Sequence, residues 1–336
     1  MKESLLKYLC CPNCKQDFLL IKEDIDSNEE INTGKLQCKK CITVYPIING
    51  IPRILPEAEI SFNYSENFKM YWQKMDWNFA ELYKKRFYEM CAWKENDFDD
   101  KIVLEAGCGG GRWVFQFAHE NVKEIIAFDY TEAVDKAKEV CSKYNNIHYV
   151  QADLFKLPFK KESFDIVHCH GVLNTTPDVK KGVESLSTVV KEKGIFVFLV
   201  YRNLTTFQQV IDNVICYIPK RMPITFIYYI SIIPTLIEYI PGFVRIFENF
   251  IHLSGQPNFT LKHLHNFDWY TCKYRPRTSR KEASTWLKKL DFKEVVITNT
   301  NDFRTDSKII WFKKLKEKLL DKGFFLKATL GVRAKK

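Results

Sequence analysis

Four cysteines in two pairs, Cys11 and Cys14 in CPNC and Cys38 and Cys41 in CKKC, have the plainest chemistry in this chain. Each C-x2-C knuckle presents two thiolates, and two knuckles separated by 23 residues complete a tetrahedral shell with no open position, the donor set of a structural Zn2+ site. A redox-active CxxC would need a helix start behind it. Here the knuckles are followed by strand-like residues, KQDFLLI and ITVYPII, so a metal ribbon is expected. Cys10 adjoins the first knuckle, but the spacing favours Cys11 as the ligand. So small a module buries little apolar surface, and metal binding would supply much of its folding free energy. The loop between the knuckles carries Asp17, Glu23, Asp24, Asp26, Glu29 and Glu30 against Lys15, Lys22 and Lys35. Beside a dianionic tetrathiolate such a loop repels a nucleic-acid backbone, so the ribbon reads as structural or protein-facing.

A second group centres on KIVLEAGCGGGRW, Lys101 to Trp113. A short apolar run enters Gly107, Gly109, Gly110 and Gly111, then an apolar-periodic segment follows, which reads as strand, tight turn and helix. Glycine lets a ligand approach the backbone closely. A dinucleotide fingerprint asks for G-x-G-x-x-G, whereas these glycines run Gly107-x-Gly109-x-Gly111 with Arg112 at the third dinucleotide position. Asp129, Asp153 and the segment Cys169 to Gly171 end later strand-like runs, so they should line one crevice with the turn. His168 and His170 share a face by alternation and are the general-base candidates; Cys169 reads as a small buried residue.

The elements that must position these groups alternate. IVLEA, EIIAFD, IHYVQAD, FDIVHCH and GIFVFLV read as strands, with helices near Arg112–His119, Thr131–Lys143 and DVKKGVESLSTVV. This rhythm specifies an α/β, doubly wound, mostly parallel sheet with ligands bound beyond the strand carboxyl ends. The 336 residues suffice for a large domain plus a smaller module, and 46% hydrophobic with 15% aromatic content excludes a disordered chain. The net charge of +10 is concentrated at the end, where ten Lys or Arg from Lys308 to Lys336 face only Glu317 and Asp321. That places the excess on a solvated segment more readily than on a nucleic-acid surface. Eleven cysteines behind an N-terminus without a secretory h-region point to a reducing compartment, with cytoplasm the expectation. Met222 to Val244 is almost uncharged, but Pro223, Pro234, Pro241 and Glu238 burden a spanning helix. Short apolar helices over an active site are expected there, with peripheral membrane contact the lesser reading.

The pattern Glu105-x-Gly107-x-Gly109-x-Gly111 resembles motif I of class I S-adenosylmethionine-dependent methyltransferases of the type 11 kind, which have a Rossmann-like, seven-stranded sheet. FDY at Asp129 and Tyr130, QADLFKLPF with Asp153 and Leu154, and the Ser163-Phe164-Asp165 entry to the fourth strand resemble the family's later motifs, and GVRAKK resembles its last antiparallel strand. The resemblance implies that Glu105, Gly107, Gly109, Gly111, Asp129, Tyr130, Asp153 and Leu154 hold S-adenosylmethionine, Asp129 at the ribose hydroxyls and Asp153 and Leu154 at the adenine edge. CKKCITVYPIINGIPRILP resembles the end of the small zinc-ribbon protein that activates eukaryotic tRNA, rRNA and protein methyltransferases, here fused rather than separate.

Related small-molecule methyltransferases carry VLHH where this chain has VLNTTPD, with Asn174 and Thr175 at the histidine positions, so a base must come from elsewhere. His170 or His168 is assigned that role. On the acceptor side, the aromatic stretch holding Tyr64 and Trp72, and the family-like segment with Asp268, Trp269, Tyr270, Tyr274 and Arg275, are the expected contacts. The expected organisation is a zinc ribbon at 1–56, an aromatic-rich helical linker or lid at 57–100, a methyltransferase core at 101–202, a helical substrate cap at 203–269, and the rest of the core with a basic end at 270–336. Methyl transfer to a small-molecule or lipid-like acceptor is the expected reaction. A tRNA or rRNA acceptor is the second reading, and a non-catalytic cofactor-binding scaffold for a partner protein the third.

Overall fold

The computed structural model describes residues 1–27, 29–56, 80–94, 96–203, 206–217, 221–240, 253–254, 256, 258–300 and 329–336. Tyr64, Trp72, most of the expected linker and most of the basic end lie outside the described residues.

The central sheet is built from β5 (Ile102–Ala106), β6 (Glu124–Asp129), β7 (Ile147–Ala152), β8 (Phe164–Cys169), β9 (Val190–Arg202), β11 (Lys293–Thr300) and β12 (Thr329–Lys335). Their spatial order is β7-β6-β5-β8-β9-β12-β11, with β12 antiparallel to both neighbours and β5 to β9 parallel. Among the described residues this is the doubly wound arrangement expected from the alternating pattern, with the seven strands that the family resemblance implies. The strand order reverses between β5 and β8, which opens a crevice beyond their carboxyl ends. Alternation along the strands divides the core: Leu104 and Ala106 pack on one face with Val150 and Val167, Val103 on the other with Ile125 and Ile166. The second face is covered by α1 (Ala80–Cys91), α2 (Arg112–Phe117) and α3 (Ala133–Val140), with Phe87, Trp93, Phe98, Trp113 and Phe117 forming one aromatic cluster.

The N-terminal strands β1 (Phe18–Ile25), β2 (Ile31–Cys38), β3 (Val44–Ile48) and β4 (Ile51–Ile54) pair antiparallel in sequence order. Asn49 and Gly50, with φ of 54° and 71°, make the two-residue turn between β3 and β4, the Asn-Gly hairpin that suits a right-twisted pair. The sequence reading ends a separate ribbon at residue 56, but β4 runs parallel to β7, Arg53 opposite Gln151 and Ile54 opposite Ala152, so ribbon and core share a twelve-stranded sheet. Arg53 clamps this junction with a two-pronged ion pair to Asp135 (2.8 and 2.6 Å) and a hydrogen bond to Gln151 (3.1 Å). Tyr8 stacks on Phe164, the Cys10 amide donates to the Pro158 carbonyl, and the Lys160 amide donates to that of Tyr8. Leu5, Leu9, Phe18 and Leu36 thus belong to the same apolar core as Leu104, Val150 and Val167.

After β9 come α4's successors in the chain: α4 itself (Val179–Ser187) precedes β9, and α5 (Thr206–Tyr217), α6 (Ile224–Ile230), α7 (Ile232–Ile237) and α8 (Phe259–Thr271) follow it. The short β10 (Arg277–Thr278) then pairs with the end of β9, and α9 (Arg280–Lys289) begins with a Ser279–Glu282 capping box. The apolar stretch, described here over 222–240, is broken into short helices, and no helix among the described residues is long and apolar enough to cross a membrane.

Candidate active site

Beyond the end of β5 the chain must turn sharply into α2, and Gly107, Gly109 and Gly111 take φ of 74°, 51° and 97° to do so. The Gly107 and Cys108 amides donate to the Phe128 carbonyl (2.8 and 2.9 Å), tying the turn to the end of β6. Asp129 finishes the knot: Oδ2 accepts from the Gly109 amide (2.8 Å), while Oδ1 accepts from the Thr131 amide (2.8 Å) and hydroxyl (2.7 Å). Burial pushes the Asp129 carboxyl up, opposed by these donors. At the end of β7, Asp153 caps the short turn Leu154–Lys156 by accepting from the Phe155 amide (2.8 Å).

These strand ends enclose a cavity of about 340 Å³. Gly107, Gly109, Asp129, Tyr130, Asp153 and Leu154 line it, together with Phe128, Phe155, His170 and Tyr274. Gly111 lies elsewhere: a Cβ there would sit 3.1 Å from the Ala137 Cα, so this glycine permits close packing of α2 on α3. Glu105 also departs from the cofactor-binding expectation. Its carboxylate is fully buried inside the sheet and pairs with His168 Nδ1 at 2.5 Å.

The two histidines separate by depth. His168 is fully buried among Phe87, Trp93, Trp113 and Phe117, away from the cavity lining, which corrects its candidacy as a base. Burial alone would lower its pKa, but the Glu105 carboxylate and Cys91 push it up to about 10. His170, two residues on, lines the cavity with its ring 4.3 Å from that of Trp113.

The expected acceptor residues divide similarly. Tyr274 lines the cavity, beside Lys273, which the sequence reading missed. Trp269 and Arg275 instead converge on Asp212 of α5: the Trp269 indole donates at 3.3 Å, and Arg275 and Arg277 approach at 3.5 and 3.3 Å. Tyr270 packs in the cap core with Ile227 and Phe267. These three residues fix the cap to the end of β9 rather than line the cavity. Among the described residues Asp268 Oδ1 is shielded from solvent with no hydrogen-bond partner, and burial pushes its carboxyl up to about 6 against the pull of Arg112. VLNTTPD adds Thr175 and Thr176 to the wall, a contribution foreshadowed only by its place after a strand carboxyl end.

The donor set tests the cofactor. A pyrophosphate would meet two carboxylates, Asp129 and Asp153, against a single lysine, Lys273, among the described lining residues. An adenosyl sulfonium fits: carboxylates suit a ribose diol and a cationic centre, and Phe128, Leu154 and Phe155 offer apolar surface to a base.

At the other end of the molecule the sulfurs of Cys11, Cys14, Cys38 and Cys41 lie within 4.8 Å of one another. The Cys11–Cys41 and Cys14–Cys38 separations are 3.6 and 3.3 Å, near the edge of about 3.8 Å that a tetrahedron of Zn–S bonds of about 2.3 Å requires. Hydrogen bonds from Thr43 draw the Cys41 thiol down to about 6, whereas burial pushes Cys11 up to about 12. All four fit a Zn2+ ion, which would hold them as thiolates; Cys10 is buried outside the cluster.

Residues 97–218 match the family model described as a methyltransferase domain, and residues 2–50 match that of Trm112p-like proteins. The chain joins a methyltransferase domain to an N-terminal Trm112p-like domain. An uncharacterized chloroplastic methyltransferase of Arabidopsis thaliana is 26% identical over 216 residues, 57% of this chain and 61% of that one. A demethylmenaquinone methyltransferase of Lactococcus lactis is 33% identical over 29% of this chain and 41% of its own length. A tRNA U34 carboxymethyltransferase of Aliarcobacter butzleri is 28% identical over 41% and 44%. The match thus spans less than two thirds of each of these relatives. The methyltransferase domain accounts for the cavity, and the Trm112p-like domain for the thiol cluster and the sheet extension.

Proposed function

We infer that this chain transfers the methyl group of S-adenosylmethionine to a small or lipid-like acceptor. The observation that carries the reading is the cavity at the sheet's strand ends, with Asp129 and Asp153 on one side and His170 and Tyr274 on its lining. When bound, the cofactor would supply an electrophilic methyl group on a sulfonium. Asp129 would accept hydrogen bonds from the ribose hydroxyls, Gly107 and Gly109 would admit the amino-acid portion close to the backbone, and Leu154 and Phe155 would flank the adenine. Much of the rate enhancement in such an in-line displacement comes from holding the acceptor close and collinear. His170 is the group placed to take a proton from a hydroxyl or ammonium acceptor.

The cap, taken as residues 203–269, supports an apolar acceptor. Its helices expose Tyr229, Ile233 and Leu236, the turn after them exposes Tyr239, and α8 leads directly into the cavity-lining Lys273 and Tyr274. The similarity to a tRNA carboxymethyltransferase favours the second reading, a nucleic-acid acceptor. Incubation with methyl-labelled S-adenosylmethionine and separate fractions of lipid extract, polar metabolites and total RNA decides between them. Label in an organic-extractable or small polar product is expected; label confined to RNA overturns the acceptor assignment, and no S-adenosylmethionine binding by calorimetry overturns the cofactor assignment.

A further inference from the structure

Buried beside the cofactor cavity is a second cluster of metal-ligating groups, unrelated in sequence to the two cysteine knuckles. Cys91 ends α1, His168 is the penultimate residue of β8, and His170 follows that strand. Their ligand atoms all lie within 4.8 Å of one another. We propose that Cys91, His168 and His170 form a second metal site, binding Zn2+ through one thiolate and two imidazoles in the wall of the cavity.

Four observations converge on this. The Cys91 Sγ to His168 Nε2 distance is 3.4 Å, and a tetrahedral ion with Zn–S of about 2.3 Å and Zn–N of about 2.1 Å needs an S–N edge of about 3.6 Å. Second, Glu105 stands behind His168 on Nδ1, at 2.5 Å. A metal-bound imidazole commonly has such a carboxylate on its other nitrogen, which fixes the tautomer and leaves Nε2 as the ligand. Third, Glu105 is fully buried and among the described residues its Oε1 has no hydrogen-bond partner, so its charge is balanced only by His168 or by an ion that His168 holds. Zn2+ with the Cys91 thiolate and the Glu105 carboxylate would leave the buried locus neutral. Fourth, Trp113 holds the His170 ring from one side, and the aromatic cluster around His168 supplies the apolar shell that raises metal affinity by excluding water.

Three protein ligands leave one coordination position, the pattern of catalytic rather than structural zinc. Because His170 lines the cavity, that position is within reach of a water molecule or of an oxygen or sulfur donor bound there, and with the ion in place an ion-bound hydroxide, rather than the coordinated His170, would take the acceptor's proton. Metal binding at this site does not depend on which acceptor takes the methyl group.

The test counts metal. Full-length protein equilibrated with excess Zn2+, passed through gel filtration and measured by inductively coupled plasma mass spectrometry should hold two ions per chain. Cys91→Ser and His170→Ala should each hold one, and Cys38→Ser should retain the second site while losing the ribbon ion. Co2+ titration supplies an independent readout, because the mixed sulfur and nitrogen set absorbs differently from four thiolates. His170, only partly buried, gives a variant whose folding can be verified by circular dichroism if Cys91→Ser does not fold. One ion per wild-type chain, held by the ribbon alone, overturns the proposal, as do two ions retained by both folded Cys91→Ser and His170→Ala.

Discussion

Replacing Asp129 with Asn tests the cofactor site at the point where three donors converge. The carboxylate accepts from the Gly109 amide on one oxygen and from the Thr131 amide and hydroxyl on the other. An amide has one acceptor oxygen. If it serves Thr131, the new NH2 faces the Gly109 N–H; if it serves Gly109, the NH2 faces the Thr131 N–H. Either way at least one charge-assisted hydrogen bond is replaced by two opposed donors. A hydrogen bond to a charged group contributes about 1.5–3 kcal/mol. That loss loosens the turn without ligand and also weakens the ribose contact, so S-adenosylmethionine should bind roughly tenfold to a hundredfold more weakly. Isothermal titration calorimetry measures the affinity, and thermal unfolding without ligand measures the turn's share. A dissociation constant within about twofold of wild type, with unchanged unfolding, would refute the reasoning and remove Asp129 from the site.

Gly107→Ala should destabilise the ligand-free protein more than Gly171→Ala: both have positive φ, but a Cβ at Gly107 meets the Val172 Cγ2 at 2.2 Å whereas none of the described residues lies within 4 Å of one at Gly171. Equal losses in denaturant titration, each near the roughly 1–2 kcal/mol of left-handed strain, would show that Val172 moves aside. Cys38→Ser, which should lose only the ribbon ion, should lower the unfolding temperature of the whole molecule in one transition, because β4 and Arg53 couple the ribbon to β7; an unchanged transition for the methyltransferase domain would contradict that coupling. His148 should make stability fall with acid. Burial draws its pKa down to about 4 from 6.5, helped by Lys2 and Lys7 and opposed by Glu124 and Glu30, so the unfolded chain takes the proton first. The contribution is full above about pH 6.5 and is lost between there and pH 4, to the extent of about 3 kcal/mol. His148→Phe should flatten that limb of the stability profile, and an unaltered slope would assign it to other groups.

The cysteine knuckles, the glycine turn and the succession of strands and helices were legible in the amino-acid sequence because each depends on short-range spacing: two residues between thiols, a glycine run after an apolar strand, alternation at period two and near four. The Asn49–Gly50 hairpin belongs to the same class, since its φ angles are a local demand. Depth was not legible. Alternation places His168 and His170 on one face, but two residues of strand carry a side chain about 6.6 Å further from the strand end, enough to move His168 from the cavity into the aromatic core. Glu105 is withdrawn for the same reason, and its partner, 63 residues away in the chain, is chosen by strand order. Trp269 and Arg275 look like acceptor contacts by type, yet Asp212 on a different helix recruits them to hold the cap. Likewise the pairing of β4 with β7 needed an open sheet edge of matching length, which exists only once the parallel strands have assembled. Sequence spacing alone marked the knuckle thiols as metal ligands and the glycine turn as a ligand site; long-range packing brought Cys91 to His168 and His170 and decided which groups face the cavity, because burial and distance are properties of the assembled sheet.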